Sequence, residues 1–60
     1  MLSSNLQFLR RKTGYSQQEL ADLLEIPRST WRGYELGKVD PNINMLQKIS
    51  IFFHQSIDRL

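Results

Sequence analysis

The chain has no cysteine and a single histidine, His54. The first absence excludes disulfides and thiolate metal sites and fits a reducing compartment, the cytoplasm. The second leaves no ligand set for zinc. No stretch approaches the ~20 apolar residues that span a bilayer. The start, Met1-Leu2-Ser3-Ser4, lacks the basic-then-apolar order of a signal peptide. Neither a membrane, a metal nor a cofactor is therefore expected. Catalytic equipment is equally sparse. There is no nucleophile beside a base, no glycine-rich phosphate loop and no carboxylate pair suited to a cleft, which argues against an enzyme.

What is present is a chain of 60 residues. That is one domain at most, 1–60, either alone or as the N-terminal part of something longer. A chain of this size buries only about 60% of the surface its unfolded form exposes. Its core has to come from packed helices, with a second subunit as a natural reinforcement. The net charge of +2 says little. Its placement says more: between Pro27 and Val39 stand Arg28, Arg32 and Lys38 against Glu35 alone, while Glu19, Asp22 and Glu25 crowd the segment before.

The pattern is all-helical, a bundle of five short helices. The first runs from about Ser4 to Thr13, with Ser3 or Ser4 as cap, Leu6 and Leu9 on one face and Gly14 as the stop. The second opens on Ser16-Gln17-Gln18-Glu19, a capping box in which serine and glutamate each satisfy a first-turn backbone donor. It carries Leu20, Ala21, Leu23 and Leu24 and ends near Glu25. The third, 27–36, begins at Pro27, whose fixed φ suits a first helical position, and ends before Gly37. Two helices joined by so few residues must cross steeply, which is a helix-turn-helix unit. A fourth helix follows Asn42, its likelier cap, or Asp40, with Ile43, Leu46, Ile49 and Phe53 as buried stripe. A fifth opens at Ser56, and the sequence stops inside it, so more chain or a partner is expected beyond.

At ~3.6 residues per turn, Pro27, Thr30, Trp31 and Tyr34 fall on one side of the third helix. Arg28, Ser29, Arg32 and Gly33 fall on the other. The first set anchors the helix. The second suits a DNA major groove, where arginine grips guanine O6 and N7 with two bonds and serine meets a base edge or phosphate. Gly33 exposes backbone and leaves a gap for a thymine methyl or a sugar, or is simply tolerated. Phosphate contacts are expected at the helix N-termini, from Gln17 and Gln18 of the second helix and Asn42 of the fourth, with Lys38 adding a charge. Arg11, Lys12, Lys48 and Arg59 read as solvated, and His54 as a helix-end residue. Ile51, Phe52 and Leu60 either line a dimer interface or missing segment, or lie under the last helix. Taken alone, Arg10 and Glu35 read as unrelated surface charges.

Leu9-Arg10, Ser16-Gln17-x-Glu19-Leu20-Ala21, Ser29-Thr30, Tyr34-Glu35-x-Gly37, Pro41, Leu46, Ile49 and Ser56-Ile57-Asp58-x-Leu60 stand in a specific order and spacing. From Leu6 to Leu60 they resemble the phage-repressor (Cro-like, XRE) helix-turn-helix family. The resemblance implies a lambda-repressor-like fold that binds operator DNA as a symmetric dimer. It implies base reading at positions 28, 29, 32 and 33, phosphate contacts at Gln17, Lys38 and Asn42, and a bridge between Arg10 and Glu35. Four positions depart from the family pattern. Glu25 stands where glycine is usual, which predicts a strained or differently shaped turn. Trp31 replaces a smaller aliphatic residue, Gly33 a longer polar one, and His54-Gln55 a small-then-aliphatic pair.

The expected function is sequence-specific binding of double-stranded DNA in transcriptional regulation of the repressor type. A homodimer on a palindromic operator is the expected assembly, in the cytoplasm and at the nucleoid when bound. The rival is a protein-interaction or antitoxin-like module that uses the same fold, with Ile51 and Phe52 as its surface.

Overall fold

In a computed structural model, which describes residues 2–60, four α-helices follow one another: α1 (Leu2–Thr13), α2 (Gln17–Leu24), α3 (Arg28–Leu36) and α4 (Ile43–Phe53). A single 3-10 turn, Ile57–Arg59, closes the chain where a fifth helix is expected. It holds through Arg59 N–H to Ser56 O and Leu60 N–H to Ile57 O. No helix among the described residues is long and apolar enough to cross a membrane.

Local signals set most of the boundaries. Ser16 accepts from the Glu19 N–H at 3.0 Å, and the Glu19 carboxylate accepts from the Ser16 N–H at 2.9 Å, completing the capping box of α2. Those bonds hold the Glu19 carboxyl below the usual range. Asn42 caps α4 by accepting from the Met45 N–H. Gly37 ends α3 in the left-handed region, at φ 73°. Two helix ends use a costlier residue in that region: Glu25 after α2 (φ 60°) and His54 after α4 (φ 57°). Glu25 thus supplies the strained turn that its replacement of glycine predicts.

Three boundaries or faces differ from expectation. α1 begins earlier, so Ser3 and Ser4 lie within it instead of capping it; the added residues include Leu2, which packs on the core. Pro27 is the cap of α3, in extended conformation (φ −63°, ψ 147°), and is exposed, so it does not anchor the helix. Its carbonyl instead accepts from the Thr30 and Trp31 N–H groups. On α4, Ile43 is 58% exposed, because it lies about 120° round the helix from fully buried Ile49. The inward line runs through Met45, Leu46, Ile49, Phe52 and Phe53.

The core joins Leu6 of α1, Leu20, Ala21 and Leu24 of α2, Trp31 and Tyr34 of α3, Ile49 and Phe53 of α4, and Leu60. α3 packs chiefly on α1 and α2. Leu60, expected on a dimer surface, is 8% exposed and belongs to this core. Its carbonyl also accepts from the Asn5 side chain at 3.0 Å, tying the end of the chain to α1. Lys48, read as solvated, donates to the Leu24 carbonyl at 2.7 Å and so links α4 to the last turn of α2.

Candidate nucleic-acid interface

Helix α3 is held from behind. Trp31 is fully buried and Tyr34 nearly so, their rings meeting edge to face. Between them and α1 lies Glu35, whose carboxylate is almost wholly enclosed. The Arg10 guanidinium grips it twice, Nε to Oε2 at 2.5 Å and Nη2 to Oε1 at 3.1 Å. The Trp31 indole N–H donates to the same carboxylate, and the Gln17 amide donates to Oε1 at 3.1 Å. Arg10 also donates to the Tyr15 carbonyl, which fixes the guanidinium plane. Burial pushes the Glu35 carboxyl up, but the three donors and the Arg10 charge outweigh it and hold the group below its ordinary value. Glu35 is therefore an anion inside the domain, fully matched. The bridge that the residues taken alone argue against, and that the family resemblance implies, is present.

This inward turn of Glu35 removes the only acid between Pro27 and Val39 from the outer face. What remains outside is Arg28, Arg32 and Lys38, all exposed, with exposed Ser29 between them. These four, with Gly33 and Leu36, line one open trough along α3. Two long cations on the helix and a third in the loop after it, with hydroxyl and apolar surface among them, are complementary to an anionic backbone and to the polar edges and methyls of base pairs.

Gly33 sits in this trough, but the gap expected over it is filled. A side-chain β-carbon built there would lie 3.3 Å from Cγ2 of Val39. The loop after α3 folds back in this way because the Gly33 carbonyl accepts from both the Lys38 and Val39 N–H groups.

The residues expected at phosphates are distributed as follows. Gln17 and Gln18 open α2 beside α3. The Gln17 side chain is engaged with Glu35 and that of Gln18 with Asp22 at 2.9 Å, so what their positions offer an anion is the backbone N–H of the first turn. Lys38 borders the trough directly. Asn42 opens α4 with its side-chain oxygen committed to the cap. Away from the trough, Ile51 is 75% exposed, whereas Phe52 is half-covered by the ring of Tyr15, at 5.9 Å between centroids. Sequence reasoning missed Tyr15; its aromatic character was the one available signal.

Residues 6–60 match the helix-turn-helix family model. The chain belongs to the XRE-type helix-turn-helix family. Over its full 60 residues it is 40% identical to YonR, an SPbeta prophage-derived uncharacterized HTH-type transcriptional regulator of Bacillus subtilis (strain 168), covering 56% of that protein. It is 40% identical over 52 residues to the HTH-type transcriptional regulator AnsR of the same organism, covering 87% of this chain and 45% of AnsR. To the HTH-type transcriptional activator BcrR of Enterococcus faecalis it is 38% identical over 58 residues, covering 97% of this chain and 28% of the relative. The chain thus spans about half the length, or less, of these curated helix-turn-helix relatives.

Proposed function

We propose that this domain binds double-stranded DNA in a sequence-specific manner and serves as the DNA-reading part of a transcriptional regulator. The observation that carries the reading is the trough along α3, with Arg28 and Arg32 on the helix, Lys38 in the loop after it and no acid, the helix being fixed from behind by Trp31 and Glu35. Arg28 and Arg32 are the base readers, with Ser29 a lesser one; at Gly33 the helix presents no side chain, and Val39 covers the gap. Lys38 and the first turns of α2 and α4, at Gln17, Gln18 and Asn42, contact phosphates. The names of the relatives support the regulatory class, which includes an activator, so the direction of regulation follows from the target and not from this domain.

The working assembly is a symmetric homodimer on a palindromic site, its two α3 helices about 34 Å apart, one duplex turn. Exposed Ile51, with Phe52 beside it, is the surface for the second copy. A cytoplasmic location, with the nucleoid as its bound state, follows from that role. The same exposed Ile51 favours the second reading, a module that recognises another protein.

The deciding experiment selects duplexes from a random pool and titrates the winner at rising salt. Specific binding that weakens steeply with salt is the expected result, because counterion release drives such association. No detectable duplex affinity at low salt removes the DNA reading. Ile51→Ser tests the surface: loss of half-site cooperativity with single-site binding intact assigns it to the dimer, and unchanged behaviour removes it.

A further inference from the structure

Val39 is an apolar side chain that packs on α3 at Gly33 and still turns half of its surface to solvent. It is 52% exposed, yet it lies against the one position of the outward face of α3 that has no side chain of its own. The Gly33 carbonyl holds it there through two backbone bonds, from Lys38 N–H at 3.0 Å and Val39 N–H at 3.3 Å. A β-carbon at 33 would stand 3.3 Å from Val39, tight enough that Val39 would have to give way by a few tenths of an ångström. The exposed leucine of the trough, Leu36, extends the apolar character at this end of the helix, whereas Arg28 charges the other end and Arg32 the middle.

We infer that Val39, delivered by the loop and not by the helix, takes the part of a side chain at position 33 and reads a thymine methyl in the major groove. Apolar contact is how a protein distinguishes that methyl, which stands alone among otherwise polar base edges. The inference rests on the DNA reading of α3 and names a specificity residue within it. It makes Gly33 the vacancy that Val39 needs, and not itself a contact to a base.

The test replaces thymine by uracil, one position at a time, in the selected duplex. This removes only the methyl group. For the unaltered protein, one position per half-site is expected to weaken binding about fourfold, the worth of one methyl group taken out of water. For Val39→Ala that penalty disappears while preference for guanine at the arginine-read positions stays. Melting curves of Val39→Ala, expected to match the parent because the side chain is half in solvent, separate loss of contact from loss of fold. Two results overturn the inference with the DNA reading intact: a uracil penalty of equal size in both proteins, or no uracil penalty at any position of a duplex the protein binds specifically. Failure to select any duplex is a different result and removes the DNA reading first.

Discussion

The indole N–H of Trp31 donates to the carboxylate of Glu35, one turn further along the same helix. Both residues are buried, so the bond joins two polar groups that would otherwise be stranded in the core. Arg10 and Gln17 bring α1 and α2 to the same carboxylate. The orientation of α3, and with it the direction in which Arg28 and Arg32 point, is fixed by this anion together with the packing of Trp31 and Tyr34.

Glu35→Ala leaves the Arg10 charge and the Trp31 N–H without their acceptor. Breaking a buried pair by removing one member costs about 3–5 kcal/mol, against a total stability of roughly 3–9 kcal/mol for a chain of this size. The variant is expected to lose about half or more of its stability and to unfold at a much lower urea concentration than the parent. Trp31→Phe keeps most of the ring and leaves the carboxylate two donors, so a loss of about 1 kcal/mol from the bond is expected, together with a smaller packing loss. Urea titrations measure both. The lone tryptophan, fully buried, reports unfolding by fluorescence in the parent and in Glu35→Ala, and circular dichroism reports it in Trp31→Phe.

Acid should undo the same group. The Glu35 carboxyl lies lower in the folded protein than its ordinary value of 4.5. Its contribution to stability is therefore fully present above the unfolded value and is lost as pH falls through the folded one. Stability is expected to hold from about neutral pH down to about pH 5 and to decline below the ordinary carboxylate value. Glu35→Gln, in fresh melts across that window, is expected to start lower and show a shallower acid slope. An equal slope in both proteins assigns the decline to other carboxylates.

The left-handed turns offer an opposite lever. Glu25 and His54 hold φ near 60° with a side chain in place, which costs roughly 1–2 kcal/mol. Glycine there returns about 0.4–1 kcal/mol of that through the freer unfolded chain. Glu25→Gly and His54→Gly are each expected to gain roughly 0.5–1 kcal/mol, a rise of a few degrees in melting temperature. Gly37→Ala, at φ 73° and close to Ser3, is expected to lose about 1 kcal/mol. Thermal melts of the three variants decide the matter by sign.

The cations of the outer face should separate by kind. Arg28→Ala is expected to cost about 1–3 kcal/mol on the selected duplex and to relax preference at one base pair. Lys38→Ala is expected to weaken all duplexes alike and to lower the salt dependence by about one counterion. Binding isotherms at several salt concentrations, on selected and scrambled duplexes, distinguish them.

Much of this was legible in the sequence because it is local. Ser16 and Glu19, Asn42, Gly14 and Gly37 announce helix ends within a few residues of themselves, and the face of α3 follows from its period. What the sequence did not disclose is what depends on how helices cross. Lys48 reaching the Leu24 carbonyl, Asn5 reaching Leu60, Tyr15 meeting Phe52 and Val39 lying over Gly33 have no local signature. Ile43 misled because an apolar residue at helical spacing from Leu46 fits a stripe on paper, while the true inward line is set by Ile49. Leu60 misled because a final residue carries no downstream pattern against which burial can be judged. For the Arg10–Glu35 bridge, the family resemblance supplied what periodicity alone could not.

The buried carboxylate also sets an order of events. Its ligands come from α1, α2 and α3, and none from α4. The first three helices therefore complete one another's charge balance only together, whereas α4 and the terminal turn are attached by apolar contact, Lys48 and Asn5. Fluctuations that open the domain are expected to begin at its C-terminal third, an order that native-state hydrogen exchange reads directly. On that order, α3, which shares the carboxylate with α1 and α2, is expected to be among the last parts to lose its shape.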